Sequence, residues 1–207
     1  MIFNMLKNIV IFALCFLPVL SFANDCVKYK QTPSINVNSP IYKKNIIQSN
    51  EQMDKFHGNV IATLVEDYDI AVDIFSTPGG YCVVLKSVDA LIGYNDFSVK
   101  IDGSHKSGSC SYNAVLNHED KHINAYLSVM DDLGMDINSS IFNAADSIMP
   151  IFVSSRDDID FAVEEINYEM RQHPELILMK QKINAAQEIR NKRVDQNEDN
   201  HELKSCL

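Results

Sequence analysis

Residues 109–134 read SCSYNAVLNHEDKHINAYLSVMDDLG. Val115, Ile123, Tyr126, Met130 and Leu133 recur at helical spacing, which predicts a helix over 111–133. Ser109 or Ser111 can cap its start and Gly134 can close its end. Downstream, the pattern predicts a second helix near 137–147, ahead of Pro150. A third is expected near 156–171, with Asp157 and Asp158 well placed against the dipole of its first turn. Pro174 suits the first turn of a fourth, with Leu176, Met179, Ile183 and Ala186 on one face.

Upstream, the period changes to that of strands. Phe97, Val99 and Ile101 alternate with Ser98, Lys100 and Asp102, a strand with one wet face. Ser34 to Asn38 alternates between Pro33 and Pro40, and Thr77-Pro78-Gly79-Gly80 is a turn ahead of the apolar run 81–85. The stretch 60–75 is rich in Val and Ile, and its polar centre, Glu66-Asp67-Tyr68-Asp69, reads as a turn between two strands. Strands first and helices after give an α+β fold: a small N-terminal antiparallel β-region, then the helix of 111–133, then a C-terminal helical segment. One domain is expected over 24–207, β-rich to 110, helical over 111–194, with an acidic tail from 195.

The chain carries 18 Lys and Arg against 28 Asp and Glu, a net charge of −10. Nucleic-acid binding needs a basic stripe to neutralise phosphates, and this balance excludes it. A hydrophobic fraction of 46% is that of a packed protein.

Residues 1–23 hold one charge, Lys7, an apolar run from Ile9 to Leu20, and the small residues Ser21 and Ala23. This is the form of a cleaved export signal, too short for a comfortable membrane span, so a periplasmic or secreted protein with no lasting membrane anchor is expected. Cleavage after Ala23 leaves 184 residues, with 17 basic against 28 acidic, a net charge of −11. Four cysteines remain, and an even number in an exported chain suits disulfides in one of three connectivities. Closeness of domain termini favours Cys26–Cys206, with Cys82–Cys110 as the second pair.

Within the first helix, His118-Glu119-Asp120-Lys121-His122 forms an H-E-x-x-H pattern. Four residues along a helix turn by about 400°, so both imidazoles leave nearly the same face and can share one Zn2+ ion. Glu119 lies about 100° round from His118, where its carboxylate can take a proton from an attacking water instead of binding the metal. Val115, Tyr126 and Val129 share the histidine face, which points the pair into the body of the protein. Tyr126 could also face an oxyanion, and His105 and Lys106, just ahead of the helix, could form a substrate rim. No phosphate-binding glycine motif, serine elbow or C-x-x-C pair competes with this chemistry.

The stretch from Tyr112 to His122 resembles the active-site helix of zincin-type metallopeptidases. More narrowly, it is similar to a group of predicted secreted bacterial zinc-dependent proteases. In that group a later helical segment ends in a Y-D-x-x-T-x-H-G-like signature. Here Val194-Asp195-Gln196-Asn197-Glu198-Asp199-Asn200-His201 matches the Asp, lacks the Thr and Gly, and has His201 one position late. The resemblance implies a zincin-like fold, hydrolysis of a peptide or protein substrate, His118 and His122 as zinc ligands, Glu119 as general base and Asp195 as third ligand. Metzincins would need a histidine where Ser128 stands. Asp131 and Asp132 lie off the histidine face. A gluzincin-like ligand would come from Glu164, Glu165 or Glu169, and the tail also offers His201. Two other readings use the same residues: a non-catalytic periplasmic zinc- or ligand-binding module, and a helical interaction protein with the histidines in its core. An edge strand at 97–101, paired with an extended peptide, completes the substrate reading.

Overall fold

The computed structural model describes residues 26–49, 57–197 and 205–206, so the expected export signal at 1–23 and His201 lie outside the described residues. The described residues form five strands: β1 (Ser34–Asn38), β2 (Lys43–Gln48), β3 (Gly58–Thr77), β4 (Gly80–Ile101) and β5 (Ile151–Val153). Among the described residues, three α-helices follow the long strands: α1 (Cys110–Ser147), α2 (Ile159–Arg171) and α3 (Pro174–Asn197). The fold is α+β. No described helix is long and apolar enough to cross a membrane.

β4 organises the sheet, since β1, β2, β3 and β5 all pair with it. β5 is antiparallel to it, with Cys82 opposite Phe152. β2 runs parallel to it, from Lys43 opposite Asp96 to Gln48 opposite Ile101. The expected purely antiparallel region is therefore mixed. The Ser49 N–H donates to Ile101 O, and the Asp102 N–H donates to His57 O. β2 thus ends, and β3 begins, at the same end of β4. β3 returns along β4 in the opposite sense, so β2 must run with β4. Side-chain alternation carries no strand direction, and the sequence is silent on this point. The 97–101 segment is also not an edge, because β2 lies against it.

β3 is one strand of 20 residues, not two. The turn expected at Glu66–Asp69 does not form because the acidic run keeps the strand period. Asp67 and Asp69 face out and Tyr68 faces in, 3% exposed. The Tyr68 hydroxyl donates to Glu66, and Lys180 pairs with the same carboxylate. The run holds no Gly, Pro or Asn to set turn dihedrals. The real turn is Pro78-Gly79, with Gly79 at φ 93°, the glycine position that follows proline in a type II turn.

α1 is likewise one helix of 38 residues where two were expected. Gly134 does not end it. Glycine in a helix interior costs about 1 kcal/mol, and the buried face continues on both sides through Val129, Ile137, Ile141 and Ala144. The expected third helix opens as a 3₁₀ turn, Arg156–Asp158, capped by the Ser155 hydroxyl, and continues as α2. α3 starts at Pro174 as expected and runs past 194, so Asp195 is helical and does not belong to a tail.

Where the sequence reads as one domain, the described residues group into two compact units: 26–35, 69–88 and 142–173, and 36–68, 89–141 and 174–206. In the first, Val83, Ala162, Ile166 and Met170 are fully buried, and Cys26 bonds to Cys82. In the second, Tyr94, Phe97, Val99 and Ile101 pack with Val115 and Ile123 of α1. The inward set at 97, 99 and 101 matches the expected alternation.

The second disulfide is Cys110–Cys206, so both expected pairs are corrected. Cys82 and Cys110 belong to different units, and so do Cys26 and Cys206. Two disulfides suit an oxidising, extracytoplasmic environment.

Candidate metal centre

All of the site's described residues lie in the second unit. Ser109 caps α1: its hydroxyl accepts from the Tyr112 N–H and its carbonyl from the Asn113 N–H. The histidine pair follows two turns on. His118 Nε2 and His122 Nε2 are 3.1 Å apart. Asp195 Oδ1, from α3, stands 3.6 Å from the first and 3.1 Å from the second. These three side chains form a group that could hold a metal ion. The imidazoles are mostly covered, at 21% and 13% exposure, whereas Asp195 is 49% exposed, so the group opens to solvent on the carboxylate side.

The sequence-derived candidates separate cleanly. His118, His122 and Asp195 come together. Glu164, Glu165 and Glu169 are exposed on α2 and are not part of the group. Ser128 and Asp132 face Arg190 of α3, which donates to both. These contacts, with Lys182–Asp136, tie α3 along α1.

Glu119 is 3% exposed. Its carboxylate lies against Gly58, the first residue of β3. A Cβ on Gly58 would come 2.4 Å from Glu119 Oε1 and 2.8 Å from Val115 Cγ1. Only a glycine leaves room there for the carboxylate, a close-approach role that one sequence does not reveal. Asp120, the next residue, points outward to the Lys44 ammonium of β2.

Behind the histidines runs a polar stripe on α3, Gln187, Asn191 and Asp195, at four-residue spacing. It faces a matching stripe on α1, His118, His122 and Tyr126. His122 Nδ1 bonds to Asn191 Oδ1 at 2.9 Å. The Tyr126 phenol bonds to Asn191, which partly offsets the upward push that burial gives its pKa. The Tyr94 hydroxyl donates to Gln187 at 2.6 Å, and burial pushes its pKa up to about 12. Tyr126 stacks edge-on against Tyr94 and Phe97. Its ring is core and its hydroxyl is engaged with Asn191. Asn191 and Gly58 are the positions at this site that sequence reading missed. Extending the helical period past 186 would have brought out Asn191 with Asp195.

His105 is not a substrate rim. It is 5% exposed, its Nε2 bonds to His57 Nδ1 at 2.9 Å, and its carbonyl accepts from Gln48. Burial pushes its pKa down, His57 pushes further in the same direction, and buried Asp102 opposes them. A histidine with a depressed folded pKa binds fewer protons folded than unfolded. Its stabilising effect is complete above the ordinary value near 6.5 and is lost as pH falls below it. The Tm should therefore drop between pH 7.5 and 5, and the drop should be shallower in His105→Asn. Equal slopes for the two proteins in a thermal-melt series would contradict this.

The chain matches no protein-family model, no curated protein and no solved structure.

Proposed function

We propose that this protein is an exported zinc-dependent hydrolase of peptide bonds, acting in the zincin manner. The observation that carries the reading is the convergence of His118 Nε2, His122 Nε2 and Asp195 Oδ1, at mutual distances of 3.1 to 3.6 Å. Two imidazoles and one carboxylate are a common donor set of catalytic zinc. Zinc bonds of about 2.0–2.1 Å in tetrahedral geometry set ligand atoms about 3.3–3.4 Å apart, which the three distances bracket. Three protein ligands leave one position for water or substrate, and the half-exposed Asp195 lies on the open side. When bound, the metal would acidify water and polarise a carbonyl.

The chain's own residues divide the remaining work. His118 and His122 are fixed by one helix, and Asp195 closes the set from another. Glu119, adjacent to His118, takes the proton of the attacking water and returns it to the leaving amine. Its burial against Gly58 holds it in one place. Export rests on the two disulfides together with the signal-like sequence of 1–23.

The test is hydrolysis of a labelled unfolded protein by the zinc-loaded chain. Cleavage should vanish with a chelator and return with zinc; chelator-resistant cleavage, or none at any zinc level, overturns the reading. The near-complete burial of Glu119 supports a second reading, a metal-binding module in which this carboxylate only packs. Such a module would bind zinc and leave every peptide intact.

A further inference from the structure

We propose that Asn191 is the positioning residue of this centre: it holds His122 in the Nδ1–H tautomer and so aims the Nε2 lone pair at the metal position. The inference rests on the metal-centre reading and adds a residue that the motif does not contain.

The argument begins with what each atom can do. An amide oxygen only accepts, so at 2.9 Å from Asn191 Oδ1 the His122 Nδ1 must carry the proton. A zinc ion would take the place of any proton on the other ring nitrogen, and the Nδ1–H bond to Asn191 is the arrangement that leaves Nε2 to it. That nitrogen is the one 3.1 Å from His118 Nε2 and 3.1 Å from Asp195 Oδ1. The amide cannot turn over freely, because its other end is engaged. With Oδ1 on His122, Nδ2 is the end left to meet the Tyr126 phenol, which also bonds to Asn191. Tyr126 is in turn wedged against Tyr94 and Phe97, with ring centroids 5.0 and 5.8 Å away. Tyr94 is tied back to α3 through Gln187, one turn before Asn191. The chain of contacts runs from the sheet core through Tyr126 and Asn191 to His122.

Partners that orient a metal-binding histidine change affinity by about 10–100-fold when removed. Asn191→Leu keeps the volume and removes both bonds. Asn191→Asp keeps the acceptor for His122. The zinc affinity of the full chain, measured by competition with a chromogenic chelator, should fall about 10–100-fold in Asn191→Leu. In Asn191→Asp it should return to within a few-fold of wild type. Wild-type affinity in Asn191→Leu, or equal losses in both variants, overturns the proposal.

A second readout uses the zinc-loaded chain. In wild type the His122 Nδ1–H should appear as a slowly exchanging imidazole proton in NMR spectra, and the signal should be lost in Asn191→Leu and kept in Asn191→Asp. A wild-type Nδ1–H that exchanges as fast as in Asn191→Leu refutes the positioning role. Failure of the wild type to bind zinc removes the metal reading instead, and the proposal with it.

Discussion

Replacing Glu119 with Gln should lower peptide hydrolysis by about 10²–10⁴-fold, the usual share of a general base, while zinc binding stays near wild type. The substitution keeps the shape of the side chain and removes its ability to take a proton. The three atoms that converge belong to His118, His122 and Asp195, so Glu119 contributes no ligand. An amide has the size of the carboxylate it replaces, so the space beside Gly58 and Val115 stays filled. Fold and metal site should therefore survive, which a melt and a zinc titration would check. Unchanged hydrolysis in Glu119→Gln would sink the peptidase mechanism. Loss of zinc would mean that the carboxylate belongs to the ligand set.

Removing the Cys110–Cys206 disulfide should cost about 4–5 kcal/mol of stability, the chain-entropy figure for a loop of this size. The bond spans 96 residues in sequence. It joins the start of the helix that carries both histidines to the chain beyond the helix that carries Asp195. Cys110→Ser with Cys206→Ser should therefore also weaken zinc binding. Cys26–Cys82 spans 56 residues and lies in the other unit, so its double serine variant should lose comparable stability yet keep zinc affinity. Urea unfolding beside a zinc titration on the two variants separates these effects. Equal zinc affinities would show that the first bond does not hold the ligand helices together.

Much of this arrangement could be read in the residues, and the exceptions have physical causes. His118 and His122 were legible because helical spacing and metal-ligand spacing coincide at four residues. Phe97, Val99 and Ile101 were legible because period 2 with a polar alternate has one structural meaning. Pro174 marked the start of α3 through its fixed φ and missing N–H. Glu66–Asp69 misled because acidic residues suit both turns and the wet face of a long strand; only Tyr68, buried in phase, distinguishes them. Gly134 misled because a helix stop and a tolerated helical glycine are the same residue, and burial beyond it at Ile137 and Ile141 decided between them. Disulfide connectivity depends on which strand lies where, which four cysteines alone do not encode. Asp195 was legible only by resemblance, since its place in the group depends on α3 continuing about two and a half turns past Ala186, where its apolar face ends.

The central claim is that two histidines from α1 and one aspartate from α3 hold a single metal ion. Zinc content per chain, measured by inductively coupled plasma mass spectrometry on the zinc-loaded and desalted protein, tests it most directly. The account predicts about one zinc in wild type, by the ligand count of a single site. It predicts near zero in a His118→Ala, His122→Ala double variant that still melts cooperatively, and markedly weakened retention in Asp195→Ala. Zinc absent from the wild type, or retained undiminished by the double variant, would contradict it.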